Sequence, residues 1–157
     1  MPSLQERIRM PFPAKMIRWR IARSGVKNNR PWAQVLAYLD ARDYRTRLDE
    51  VFGQRGTNWY PEYAWQGKVL ICTIHFKVDD LWYNYSDGAD ETAVEPGKGM
   101  ISESFKRTCL SMGFGEYLYK LGDSWAIFTD TGDYSSKIDG SYMKWNPPQL
   151  PSWAVPQ

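Results

Sequence analysis

The chain has few of the residues on which metal sites, histidine-dependent enzymes and membrane spans depend. Its 157 residues include one histidine and two cysteines, and Cys72 and Cys109 make neither a metal motif nor a disulfide framework. No apolar run is long enough to cross a membrane, and the N-terminal stretch carries charges where a signal peptide needs an apolar core. We therefore expect a cytoplasmic protein with two buried free thiols and no membrane partner.

What the chain does have is a basic N-terminal segment and many aromatic residues. Residues 1–47 hold eleven Lys/Arg against three acids, whereas the remainder holds nine against fifteen. Aromatic residues make up 15% of the chain. A basic face rich in rings suits single-stranded nucleic acid, whose phosphates attract cations and whose bases stack on rings. A solvated basic surface balanced by the acidic segment explains the charge asymmetry equally well.

Hydrophobic periodicity predicts helices at both ends of a set of strands. Helices are expected over 1–10, 40–52 and 97–112, and strands over 14–22, 58–65, 68–78 and 81–87. Residues 24–31 are expected to form a loop, and residues 88–99 an acidic loop. Residues 32–52 follow a helical period, although "VLAYLDA" at 35–41 could open as a short strand before the helix. The predicted class is α+β, a helix followed by a three-stranded antiparallel meander and a long helix. We expect a single domain over 1–157, with its core at about 32–121 and an extended proline-rich tail at about 146–157.

The order of several segments resembles a known family. The stretches "AYLDARDYRTRLDEVFG" with "NWYPEY", a strand pair, and "KGMISESFKRTCLSMGFGEYLY" resemble the Rad-fifty-two-type single-strand annealing family, in particular its bacterial and phage branch of DdrA (DNA damage response protein A) proteins. The flanking "MPFPA" and "LPSWAVP" fit the same branch, so the resemblance covers nearly the whole chain.

The resemblance implies a β-β-β-α core that assembles side by side into a ring or arc, with single-stranded DNA in a basic groove. It implies a non-enzymatic role in recombinational repair, either annealing complementary strands or protecting 3′ ends, near the nucleoid of a bacterial or phage-infected cell. No ATP, metal, other cofactor or small-molecule substrate is expected. The DNA-binding positions that the resemblance assigns are Lys106, Arg107, Lys98, Arg42 and Lys68. Arg45, on the same predicted helix as Arg42, is a further candidate from its charge alone. Leu110 and Glu116 depart from the family pattern and weaken the positive field around them.

Lys106, Arg107 and two other charged or titratable residues have interpretations without DNA. Lys106 and Arg107 lie off the apolar stripe of their helix, as ordinary solvated cations do. Arg47 follows Asp43 by four residues and is expected to be structural or at a subunit contact. His75 is expected to be a surface or interface histidine, because no nucleophile and orienting acid accompany it in a recognisable motif.

Two other functional classes remain open on the sequence. The ligands of a metal-dependent nuclease would come from the turn Asp79–Asp80 and from the acidic residues Asp87, Asp90, Glu91 and Glu95. The aromatic strands would instead serve as the contact surface of a scaffold that binds no DNA.

Overall fold

A computed structural model describes residues 1–90 and 99–157 of the chain. The helices in these ranges are α1 (Leu4–Arg9), α2 (Ala41–Phe52) and α3 (Met100–Met112). The strands are β1 (Arg18–Lys27), β2 (Arg30–Tyr38), β3 (Trp59–Gln66), β4 (Val69–Val78), β5 (Leu81–Asp90), β6 (Ser124–Trp125), β7 (Ile127–Phe128), β8 (Tyr134–Ile138) and β9 (Ser141–Asn146). All named strand pairs are antiparallel, and the predicted α+β class is confirmed.

The chain divides into two compact units. The first consists of residues 1–10 and 39–116, and the second of residues 11–38 and 117–157. The first unit therefore contains all three α-helices and the sheet β3-β4-β5, and the second contains the remaining strands. No helix among the residues that the structure describes is both long and apolar enough to span a membrane.

In the first unit, the central strand β4 shows the alternation that its sequence predicts. Leu70, Cys72, Ile74 and Phe76 are buried, and the residues between them are half-buried. This alternation arises because successive side chains of a strand point to opposite faces of the sheet. Helix α3 packs on the buried face, where the hydroxyl of Thr108 donates a hydrogen bond of 3.0 Å to the carbonyl oxygen of Cys72.

Helix α2 begins and ends where its sequence signals indicate. The carboxylate of Asp43 accepts the backbone N–H of Asp40 at 3.2 Å, which ties the first turn to the residue before it. The helix buries Tyr44, Leu48 and Phe52, which lie one turn apart along one face. The ring of Phe52 lies 4.8 Å from that of Phe76, so α2 packs on the same face of the sheet that α3 covers.

The second unit contains two small antiparallel sheets. One has the strand order β1-β2-β6, and the other has the order β7-β9-β8. Trp145 on β9 is buried, its ring stacks on Tyr134 at 4.5 Å, and its indole N–H donates to Ser136 at 2.9 Å. The buried side chains of this sheet are the indole of Trp145 and Ile138 on β8.

The loop and the helical period predicted over residues 24–38 are wrong, whereas the short strand allowed at the start of "VLAYLDA" is part of β2. Residues 24–38 are the end of β1, a two-residue turn at Asn28–Asn29 and all of β2, not a loop followed by a helical segment. Leu36 and Leu39 suggest a helical period, but Leu36 is exposed, while Ala33 and Val35 are the buried residues of β2. Strand alternation, not helix spacing, therefore describes this segment.

Several boundaries and elements also differ from the prediction. The strand expected from residue 14 begins at Arg18, after a short 3-10 helix over Ala14–Met16, and β5 extends to Asp90. Strands β6–β9 were not predicted, and Ser152–Ala154 forms a 3-10 turn within the tail that was expected to be extended. The expected start of the long helix at residue 97 lies outside the described residues.

Candidate nucleic-acid interface

Helix α3 carries the adjacent cations Lys106 and Arg107 outside the face that it buries. It ends at Gly113, whose positive φ of 114° suits glycine and whose N–H donates to the last carbonyls of the helix. The side chains that α3 buries are Met100, Ser104, Phe105, Thr108, Cys109 and Met112. Neither cation belongs to that set, and consecutive residues are about 100° apart around a helix axis, so the two side chains leave α3 in different directions.

The two cations have different surroundings. Lys106 is half-buried, whereas the side chain of Arg107 is 44% exposed. Arg107 Nε lies 3.4 Å from Glu103 Oε1, one helical turn earlier. An exposed pair of this kind contributes only about 0.3–0.5 kcal/mol, so a phosphate can compete with Glu103 for the guanidinium.

Helix α2 brings a third candidate close to α3. The guanidinium of Arg45 lies over the ring of Phe105 at 5.3 Å, and Phe105 directly precedes Lys106. Arg42 is the most open of the candidate cations on these helices: its side chain is 77% exposed, and its Nε lies 3.8 Å from a carboxylate oxygen of Asp40. The geometry thus associates Arg45 with α3, and leaves Arg42 at the N-terminal end of α2.

Arg47 is structural, as its position predicted, but its partners are not those expected. It is buried, its Nη1 donates a 2.7 Å hydrogen bond to the carbonyl oxygen of Met10, and its Nε lies 3.4 Å from Glu50. Asp43, the expected partner, instead binds the backbone at the start of α2. The guanidinium of Arg47 therefore fixes the chain after α1 against α2.

The two remaining candidates lie elsewhere. Lys68 is exposed in the two-residue turn between β3 and β4, one residue before the strand that it was expected to begin. Lys68 precedes Cys72 by four residues, or about 13 Å along the strand. Cys72 is the residue whose carbonyl oxygen accepts the hydrogen bond from Thr108 of α3. Lys98 lies outside the described residues.

Glu116, which departs from the family pattern, forms an ion pair with Arg9. Its carboxylate lies 3.0 Å from the guanidinium of Arg9, and both side chains are about half exposed. Because Arg9 offsets this negative charge locally, Glu116 weakens the field around α3 less than its sequence position suggests.

The acidic residues of the nuclease alternative do not converge in the described part of the chain. Asp87 accepts a 2.7 Å hydrogen bond from the hydroxyl of Ser111 and another from the backbone N–H of Gly88, so it links β5 to α3. No group of three His, Cys, Asp or Glu side chains among residues 1–90 and 99–157 is placed to hold a metal ion. Glu91 and Glu95 lie outside the described residues.

The thiols and the histidine have ordinary structural surroundings. Cys72 and Cys109 are buried and free, as predicted, and burial raises the pKa of both thiols, which keeps them protonated and unreactive. His75 stacks on Tyr60 at 4.6 Å, and its Nε2 lies 2.8 Å from Glu62. Burial also raises the pKa of Tyr63, beside Cys72, to about 12.

The sequence allows Arg18, Arg20 and Arg23 either to extend the groove or to face water, but it does not predict the basic hairpin surface that the structure shows. The β1–β2 hairpin carries Arg23, Lys27 and Arg30 beside Trp32, in a stretch that was read as a loop. The signal that could have found it is the pair Asn28–Asn29 between two short runs, because asparagine tolerates the positive φ of tight hairpin turns.

The chain is similar to two proteins named single-stranded DNA-binding protein DdrA. The protein of Deinococcus radiodurans is 29% identical over 156 residues, which cover 98% of this chain and 68% of the relative. The protein of Deinococcus deserti is 28% identical over 156 residues, which cover 98% of this chain and 71% of the relative. No family model matches the chain, and no solved structure matches it.

Proposed function

We propose that the chain is a single-stranded-DNA-binding protein of recombinational DNA repair, related to the Rad-fifty-two-type annealing family. The observation that carries the proposal is its likeness to two Deinococcus proteins named for binding single-stranded DNA, which extends over 98% of the chain. It either anneals complementary strands or protects 3′ ends, or does both, and it uses no cofactor.

The cations of α2 and α3 support a phosphate-binding surface in the first unit. Arg42 and Arg107 are solvent-accessible, and Arg45 lies beside the α3 turn that carries Lys106. Arginine forks onto phosphate oxygens, and lysine acts as a point charge, so helices that hold both provide a rigid platform for a sugar–phosphate chain. Contacts of this kind position DNA without reading its bases, and binding is therefore largely independent of sequence.

Assembly of copies side by side into a ring or arc belongs to the same proposal. The sheet of the first unit has the order β3-β4-β5, so β3 and β5 are its edges. Along β5, Leu81, Trp82, Tyr83 and Tyr85 are all exposed. A long edge strand with exposed apolar side chains is a template for pairing with another chain, and a neighbouring copy is the partner that we assign to it.

The salt dependence of DNA binding tests the role of α3. We expect the double variant Lys106→Ala/Arg107→Ala to weaken binding to single strands of any sequence. Each phosphate contact contributes about −0.7 to the slope of log K against log salt for single strands, so the slope should become shallower by roughly 1.4. Fluorescence anisotropy of a labelled oligonucleotide at several salt concentrations measures it.

A charge-matched control is available in the second unit. Lys137 on β8 and Lys144 on β9 are exposed, so Lys137→Ala/Lys144→Ala removes the same charge from another place. The proposal for α3 is overturned if the two double variants change the slope equally, or if the α3 variant leaves it unchanged. A chain that binds no single-stranded DNA at low salt would favour the scaffold class instead.

A further inference from the structure

One face of the β1–β2 hairpin gathers cations around an indole. The register places Arg23 opposite Gln34, Gly25 opposite Trp32, and Lys27 opposite Arg30. Directly opposed residues of an antiparallel pair share a face, and side chains alternate along each strand, so these six residues lie on one face. The intervening residues Ala33 and Val35 are buried on the other face. The cationic face is therefore the one that the unit turns to solvent.

A cavity of about 560 Å³ opens at the tip of this hairpin. It is lined by Lys27, Asn28, Arg30, Pro31 and Trp32, so it joins two cations and an amide to an apolar ring, without a lining carboxylate. This combination of a ring with fixed positive charge matches a nucleotide, which has one aromatic base and one phosphate.

The indole of Trp32 lies across the hairpin because residue 25 is glycine. A Cβ on Gly25 would lie only 3.0 Å from Cζ2 of Trp32, closer than a carbon–carbon contact normally allows. The centre of the Trp32 ring lies 6.3 Å from that of Trp125 in an edge-to-face arrangement, with an interplanar angle of 68°. The ring is thus held in one orientation before any ligand arrives, which lowers the entropy lost on binding.

Arg23 is also held in place at this face. Its guanidinium carbon lies 6.0 Å from the centre of the Trp32 ring, and its Nε donates a 2.6 Å hydrogen bond to Gln34 Oε1. The amide nitrogen of Gln34 donates in turn to Asp123 at 2.8 Å, which fixes the amide with its oxygen toward Arg23. A polar network of this kind orients the cation over the ring rather than leaving it to sample solvent.

We propose that this hairpin face is a further contact for single-stranded nucleic acid. The base of one nucleotide stacks on Trp32, and the phosphate of that nucleotide contacts Lys27 and Arg30. The inference rests on the proposed function and deepens it, because it adds a stacking residue to a surface otherwise built from cations. Every base has a π-face, so stacking adds affinity without adding sequence preference.

Two probes separate stacking from phosphate contacts. One is a short labelled thymidine oligonucleotide, and the other is an abasic strand of the same length. Trp32→Ala should weaken binding of the thymidine strand roughly tenfold and leave the abasic strand nearly unaffected. Trp32→Tyr should restore most of the loss, because it returns a ring. Tyr142→Ala is the matched control, since Tyr142 is a strongly exposed ring on β9 of the same unit.

Two more variants test the geometry of the face. Gly25→Ala displaces the indole while leaving its chemistry intact, so it should reproduce part of the Trp32→Ala effect on the thymidine strand. Lys27→Ala/Arg30→Ala should weaken both probes, and more than the charge-matched Lys137→Ala/Lys144→Ala does. The inference is wrong if Trp32→Ala weakens both probes equally, or if neither Trp32→Ala nor Gly25→Ala changes thymidine binding.

The outcome distinguishes this inference from the proposed function. Binding that depends on Lys106 and Arg107 but not on Trp32 overturns the hairpin contact alone. Absence of any binding of either probe overturns both.

Discussion

Arg42 and Arg47 lie on the same helix, α2, but their surroundings assign them opposite roles. Arg47 is buried and bonded to the carbonyl oxygen of Met10, whereas Arg42 is largely in solvent. Removing a buried, hydrogen-bonded charge leaves its partners unsatisfied, while removing an exposed one changes stability little. Stability and DNA affinity should therefore respond to different residues of one helix.

We expect Arg47→Ala to lower the free energy of unfolding by about 2–3 kcal/mol, and Arg42→Ala to lower it by less than about 0.5 kcal/mol. Urea denaturation followed by tryptophan fluorescence measures both. For DNA affinity the order should reverse, with the larger loss in Arg42→Ala at temperatures where both variants are folded. Equal destabilisation by the two substitutions would contradict the structural role of Arg47.

At the residue level, the sequence predicted the role of a side chain better than it predicted the residues that the side chain contacts. Arg47 was expected to be structural from its spacing to Asp43, and it is, but Met10 and Glu50 hold it. The Met10 contact joins residues far apart in the chain, and helix spacing contains no information about such contacts. The cation of Arg45 was visible in the sequence, but its position over Phe105 depends on how α2 packs against α3.

Among the secondary-structure elements, those with strong periodicity were predictable and the hairpin was not. The apolar face of β4 is buried as its alternation indicated, and α3 buries Phe105, Cys109 and Met112 of its apolar stripe, although Ile101 at its start is exposed. The fully buried residues of β2 are only Ala33 and Val35, so its alternation of buried and exposed residues is short. The spacing of Leu36 and Leu39 also fits a helical period, which favours the wrong element. Strands β6 and β7 have two residues each, which is too few for any period to be recognised.

The turn at Asn28–Asn29 is the local feature that makes the hairpin possible. Both residues have positive φ, 52° and 61°, a conformation that asparagine and glycine accept and β-branched residues resist. We expect Asn29→Val to destabilise the protein by about 1–2 kcal/mol, the cost of the left-handed conformation for such a residue. Asn29→Gly should be neutral or stabilising, and thermal unfolding compares them. If valine were tolerated as well as glycine, the turn would not be a determinant of the hairpin.

Over the whole molecule, the basic N-terminal segment is divided between two units. Of the eleven Lys/Arg in residues 1–47, those of the β1–β2 hairpin belong to the second unit and those of α2 to the first. The charge asymmetry of the sequence therefore corresponds to two basic surfaces, each with its own rigid support. Charge counts along a chain cannot separate such surfaces, because the division into units is decided by tertiary contacts.

For the whole molecule, we expect copies of the chain to associate through the edge strand β5. Leu81 begins the edge strand β5 and is 61% exposed. A lysine there places a charge on the edge that we assign to a neighbouring copy, so Leu81→Lys should reduce the mass measured by multi-angle light scattering. Tyr142→Lys adds the same charge to an exposed position on β9 and should leave the mass unchanged. A wild-type protein that is monomeric throughout, or a mass unaffected by Leu81→Lys, would contradict this contact.

The burial of Cys72 and Cys109 has a practical consequence for all of these measurements. Since neither native thiol reacts readily, a cysteine introduced at the surface accepts a maleimide dye selectively, with both native residues retained. Donor and acceptor dyes attached in this way to separate batches of protein, and then mixed, would report subunit exchange in real time. Dyes attached to two complementary DNA strands would instead report the pairing of those strands.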